Sequence, residues 1–173
     1  MKRILYILGQ LSDQDIDWLI KKGSARIVST GQVVIEQGQP VEELSIILSG
    51  YMKVKNESKD IVVAHIGSGE ILGEMSLVDA QTPSVSVIAE ENCKIYTISI
   101  DRIKQKMEVD LGFAARMYCA IATFLSSRLR STTSRLGYGT AQNEVDEIDM
   151  NVLSEVGQAG ARFTRLLQRF SEI

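Results

Sequence analysis

Histidine is nearly absent: His65 is the only one in 173 residues. A single imidazole cannot build a metal centre of the kind that needs two or three histidines. Cysteine is almost as scarce. Cys93 and Cys119 sit in apolar runs, lack metal-ligand spacing, and read as buried free thiols in a reducing cytosol. Positive charge is not in excess either. The formal net charge is −3 and the pI is near 5.3, which argues against a duplex-binding surface and so against direct DNA binding. Long apolar runs are missing. The opening MKRILYILGQ is too short for a signal peptide and no small-residue cleavage site follows. No segment approaches the roughly 18 apolar residues of a membrane span. These absences point to a cytoplasmic protein without membrane insertion. No nucleophile with a neighbouring base stands out, so catalysis is not expected.

What is present is an ordinary globular composition, 45% apolar and 24% charged. The length suits one domain with an appendage. Ser12-Asp13-Gln14-Asp15 predicts an N-terminal helix, with Ser12 as cap, acids in the first turn, and Gly23 as the stop. Over residues 25–100 the texture becomes short runs rich in Val, Ile, Thr and Tyr. RIVST, LSIILSG, YMKVKN, IVVAHI and KIYTISI are bounded by glycine, proline, Asn or Asp. This predicts an antiparallel β-roll or jelly roll of about eight strands. The single His65, within one of these strands, is expected to make a local hydrogen bond.

Helical periodicity takes over across residues 101–136. DRIKQKM forms a short helix, and Asp110 caps a long one. Leu111, Ala114, Tyr118, Ile121, Leu125 and Leu129 make one apolar line on it, and Phe113, Met117 and Phe124 a second. That face is wide enough to cover the sheet and also pair with another copy, predicting a homodimer through residues 110–136. Residues 139–149 are polar and acidic, a linker in character. A terminal helix is expected within residues 150–173. It carries Leu153, Val156, Phe163, Leu166, Leu167 and Phe170, and is weakened by Gly157 and Gly160. Alone it would be marginal, so it should dock on something, in cis or in trans.

The stretch ILGEMSLVDAQTPSVSV, residues 71–87, has the outline of a loop that cradles a phosphate, yet it holds no positive charge. Gly73 allows a close backbone approach. The turn from Glu74 to Val78, which includes Met75 and Ser76, can aim N–H groups at an anion, as helix N-termini do. The Glu74 carboxylate would repel a phosphate but accept from a sugar hydroxyl. The alternative is that Glu74 only caps a turn.

Three glycine-anchored motifs stand in order: Gly31-Gln-Val-Val-Ile-Glu-Gln-Gly38, Leu44-Ser-Ile-Ile-Leu-Ser-Gly50 and Gly69-Glu-Ile-Leu-Gly-Glu-Met-Ser-Leu77. With the element order, they make residues 10–138 resemble the cyclic nucleotide-binding domain family, in its catabolite activator protein-like form. The resemblance implies a short helix in the phosphate loop and cyclic AMP or cyclic GMP as ligand, with no other cofactor. By similarity Glu74 would bond the ribose 2′-hydroxyl. The family places an arginine for the cyclic phosphate four residues before the strand valine. Counted back from Val87, that position is Pro83, so the arginine is missing. Ser84 follows as a hydroxyl donor, then Val85, with Ser86 where the family often touches the purine. In the run Arg128-Leu-Arg-Ser-Thr-Thr-Ser-Arg-Leu-Gly137, Thr132 and Thr133 match hydroxyls that meet the adenine, or else cushion a polar helix end. Arg128, Arg130 and Arg135 are expected to lie solvated at that end, unless one reaches back to replace the missing phosphate partner.

The resulting expectation is a small non-enzymatic sensor spanning residues 1–138. It binds a cyclic nucleotide weakly or with altered specificity and signals through its long and terminal helices, the terminal one to a protein partner. With 36 residues after Gly137, no helix-turn-helix domain is expected. The competing expectation is a β-roll scaffold with a degenerate pocket, acting through its surfaces without nucleotide.

Overall fold

The computed structural model describes residues 4–135 and 150–169. Two four-stranded antiparallel sheets form the roll, with strand orders β1-β8-β3-β6 and β2-β7-β4-β5. The strands are β1 Ser24–Val28, β2 Val33–Ile35, β3 Glu43–Ser49, β4 Tyr51–Asn56, β5 Ile61–Gly67, β6 Ile71–Leu72, β7 Ser86–Ala89 and β8 Cys93–Ser99. The helices are α1 Ile4–Gln10, α2 Asp13–Lys22, α3 Glu74–Asp79, α4 Ile100–Val109, α5 Leu111–Arg135 and α6 Met150–Arg169. This is the expected β-roll with flanking helices.

The apolar run of β3 follows from its position. Leu44, Ile46 and Leu48 join the helices in one core cluster, with Tyr96 and Ile98 of β8. Ile47, on the opposite face, packs between the sheets with Val28, Met52, Val54, Val87 and Ile95. A strand covered on both faces carries apolar side chains at successive positions, not in alternation. Tyr96 brings its hydroxyl into that core and donates to Leu19 O at 2.6 Å, tying β8 to α2.

Local signals set the helix starts. Ser12 and Asp15 form a reciprocal capping box: Asp15 N donates to Ser12 Oγ at 3.2 Å and Ser12 N to Asp15 Oδ2 at 2.8 Å. Phe113 N donates to Asp110 Oδ1 at 2.8 Å, so Asp110 caps α5 as expected. Asp15 is also clamped by Arg116 of α5, whose Nε and Nη2 lie 2.7 and 3.0 Å from its two oxygens.

Two expectations need correction. MKRILYILGQ contributes a helix, α1, that neither a cap nor a charged first turn announces. Burial of Ile4, Ile7 and Leu8 holds it. It packs against both α5 and α6. Cys119 is exposed, because α5 turns it away from the core; Cys93 is buried. α5 divides its apolar residues between two faces. Phe113, Met117, Ala120, Ile121 and Phe124 are buried, while Leu111, Tyr118 and Leu129 are 79%, 54% and 68% exposed. His65 Nδ1 sits 2.8 Å from Glu90 Oε2 on the exposed outer face of the roll, a local contact. The proposed linker 139–149, Gly137, and Phe170 lie outside the described residues.

Candidate functional site

The site is assembled where β6 passes into α3. Gly73 stands at the N-cap of α3 with φ +85°, a left-handed conformation. A Cβ there would also lie 2.5 Å from Glu43 O. The close approach that glycine permits is therefore to the backbone of the neighbouring segment, and it sets the direction in which Glu74 leaves the turn. The loop after α3 folds back on itself. Ala80 N donates to Ser76 O, Ser76 Oγ to Gln81 O at 3.1 Å, and Gln81 N to Asp79 Oδ1 at 3.1 Å. Gly38 N donates to Pro83 O at 2.9 Å and Gln37 N to Ser86 Oγ at 3.0 Å, fixing the returning strand against the β2 end.

Between these segments lies a cavity of about 250 Å³. Its apolar wall is Ile35, Val41, Val54, Leu72 and Val87. Its polar lining includes Glu74, Ser76, Asp79, Gln81, Thr82, Ser84 and Arg128. Most residues predicted from the loop are gathered here: Gly73, Glu74, Met75, Ser76, Pro83, Ser84 and Val85 all line it. Ser86 is buried beside it and holds Gln37 N with its hydroxyl. Thr132 and Thr133 are not brought in. Their hydroxyls donate to Arg128 O and Leu129 O of their own helix, both at 2.9 Å, the back-bonding common for Ser and Thr on helices.

The expectation of solvated arginines fails for Arg128. Arg130 is exposed, but Arg128 turns from α5 into the cavity and pairs with Glu74 through Nη1 and Oε1. The Glu74 side chain is only 3% exposed, that of Arg128 32%. Arg128 also stacks over Phe124, one helical turn back, at 5.7 Å from the ring centre. Burial pushes the Glu74 carboxyl above the usual glutamate range, and the Arg128 charge opposes that shift without cancelling it. Among the described residues lining the cavity, Arg128 is the one cation, against two carboxylates, Glu74 and Asp79. Asp79, Gln81 and Thr82 escaped the sequence reading, although they lie inside the quoted loop. Their Asp-x-Gln-Thr-Pro turn chemistry was the only available signal.

The sequence matches the cyclic nucleotide-binding domain family over residues 18–110. The chain belongs to that family. The CRP-like protein Clp of Xanthomonas campestris is 32% identical over 113 residues, 61% of this chain and 49% of that protein. The chain thus spans about half the length of the curated relatives it matches. Among solved structures, a cyclic nucleotide-binding domain from Methylobacillus flagellatus superposes with a TM-score of 0.69 at 22% identity, over 82% of this chain and 85% of that one. The c-di-GMP-responsive global regulator CLP of Xanthomonas campestris superposes with a TM-score of 0.59 at 24% identity, over 92% of each chain. Both share the fold. Among the described residues no group of His, Cys, Asp or Glu is arranged to hold a metal ion, and no helix is long and apolar enough to cross a membrane.

Proposed function

We propose that this cyclic nucleotide-binding domain is a non-catalytic, cytoplasmic regulatory module that takes a cyclic nucleotide in the Gly73–Val85 cavity and reads it through Arg128. The placement of Arg128 carries this reading. The loop position that would supply an arginine holds Pro83, but a guanidinium reaches the same cavity from α5. It presents five donors, of which one is shown on Glu74. A phosphate entering the cavity gains a charge-assisted partner from the helix instead of the loop. Glu74 then serves two groups, orienting Arg128 and accepting from a ribose hydroxyl. Because Arg128 belongs to α5, ligand binding bears directly on that helix. The exposed Leu111, Tyr118 and Leu129 support a homodimer along α5, which transmits the change, and α6 supplies an output toward a partner.

Pro83 favours a second reading. With the loop cation absent and Arg128 held by Glu74, the cavity is a closed ion pair and the roll is a scaffold. Calorimetric titration with cyclic AMP, cyclic GMP and cyclic di-GMP separates the two. The sensor reading expects heat from at least one ligand, lost in Arg128→Ala. Silence from all three supports the scaffold and refutes the sensor.

A further inference from the structure

α6 is seated in cis on α1 and α2. Ala159, Phe163 and Leu166 enter the apolar cluster that contains Ile4, Leu8, Leu11, Ile16 and Leu19. The seat is specific as well as apolar. Arg162, whose side chain is 10% exposed, donates from Nε to Asp13 Oδ1 at 2.8 Å. Its Nη1 donates to Leu8 O at 2.8 Å and to Gly9 O at 3.4 Å, closing the C-terminal end of α1. Arg165 pairs with Asp17. The first turns of α2 thus offer two carboxylates, and α1 offers carbonyls, to one helix face bearing two arginines around Phe163.

The occupant is weaker than its seat. A Cβ added at Gly157 or Gly160 would meet nothing within 4 Å, so close packing requires neither glycine. Each lowers helix formation roughly two- to fivefold relative to alanine. A well-formed socket holding a helix weakened without packing benefit is suited to exchange. We propose that the surface of α1 and α2 beneath α6 is a receptor for an amphipathic helix of a partner protein, and that α6 is its internal placeholder. The recognised helix carries an Arg-aromatic pair, a second Arg three residues after the first, and an apolar residue following it, the pattern Arg162-Phe163-x-Arg165-Leu166. Charge complementarity to Asp13 and Asp17 selects this basic face over a neutral one. The socket is also tied to the turn that leads into β6, since Ile4 N of α1 donates to Gly69 O at 2.8 Å. The proposal stands whether or not the cavity takes a nucleotide.

The test uses the full chain carrying Arg162→Ala and Phe163→Ala, which empties the socket, and a fluorescent peptide with the sequence of residues 150–173. The emptied chain should bind the peptide at least tenfold tighter than the unmodified chain, where α6 competes. Adding Asp13→Lys and Asp17→Lys should lose at least tenfold, and a peptide with both arginines changed to Glu should regain it. Equal binding by emptied and unmodified chains, or indifference to charge reversal, overturns the proposal. Should the emptied chain fail to fold, hydrogen exchange on the unmodified protein decides: α6 amides must open before those of α1, and exchange in step with α1 refutes a displaceable helix. Self-association of the unmodified chain that Gly157→Ala/Gly160→Ala abolishes would assign the socket to α6 of a second copy and overturn the partner assignment.

Discussion

Replacing Arg128 by Ala should destabilise the protein in a strongly pH-dependent way. The substitution leaves the Glu74 carboxyl, 3% exposed, without its counter-charge. Breaking a buried pair from one side costs about 3–5 kcal/mol. Arg128 is about one-third open to water, which screens the pair, so about 2–3 kcal/mol is expected near neutral pH. Protonation of Glu74 limits the loss. Adding a proton to a glutamate of ordinary pKa costs about 4 kcal/mol at pH ~7.5 but only about 1 kcal/mol at pH ~5. Burial already raises the Glu74 pKa in the folded state, so the folded chain holds this proton more tightly than the unfolded chain. The stability from that proton is present below the unfolded value and is lost as pH rises through the folded one. Arg128→Ala therefore loses about 5–10 °C of melting temperature at pH ~7.5, at 2–4 °C per kcal/mol for a chain of this size, and less than half of that at pH ~5. Glu74→Gln removes the buried charge and lets Arg128 turn to water, costing under about 1 kcal/mol. The double variant should resemble Glu74→Gln. Thermal melts of the three variants against the unmodified chain at both pH values test this. A pH-independent loss in Arg128→Ala, or equal losses in the two single variants, would refute the reasoning.

Pro83→Arg should tighten binding of a cyclic mononucleotide about ten- to a hundredfold, the worth of one added charge-assisted contact; calorimetry showing no gain would place the phosphate elsewhere in the cavity. Gly73→Ala demands a left-handed φ of +85° and pushes a Cβ to 2.5 Å from Glu43 O, so a loss of about 2–4 kcal/mol is expected in denaturant titration. Tyr118→Glu with Leu129→Glu, both on the exposed face of α5, should convert the proposed dimer to a monomer in sedimentation at tens of micromolar while leaving the melting of the roll nearly unchanged; an unmodified chain that is already monomeric there would refute the dimer. Asp15→Asn should cost about 2 kcal/mol near neutral pH. Burial raises the Asp15 carboxyl, but hydrogen bonds from Arg116 and Ser12 outweigh it and hold the pKa below the usual range. That stability is present above the unfolded value and is lost as pH falls through the folded one. Melts in acid should show the variant and the parent converging.

Much of the architecture was legible because it rests on short-range chemistry. Gly31, Gly50 and Gly73 punctuate strands. Ser12 with Asp15 and Asp110 with Phe113 are caps that span three residues. The two apolar lines of α5 follow from helical spacing alone. α1 was not legible, since a short apolar helix without caps forms only where neighbours bury it, here α5 and α6. Thr132 and Thr133 match ligand hydroxyls by resemblance; within this chain each hydroxyl donates to its own i−4 carbonyl. Cys119 looked buried from the composition of its run, whereas one helical step turned it outward.

Sequence alone determined that residues 71–87 form a glycine-hinged loop with a carboxylate at its start, and that no cation lies within it. Only the tertiary structure decided which charge would meet that carboxylate. Glu74 and Arg128 are 54 residues apart, on α3 and α5, and their pairing depends on where α5 brings Arg128 to the cavity. The same holds for Arg162 and Asp13, 149 residues apart. Local periodicity specifies which face of a helix is apolar. Which face of another element it meets is set by long-range packing, and the Glu74–Arg128 and Asp13–Arg162 pairs are made there.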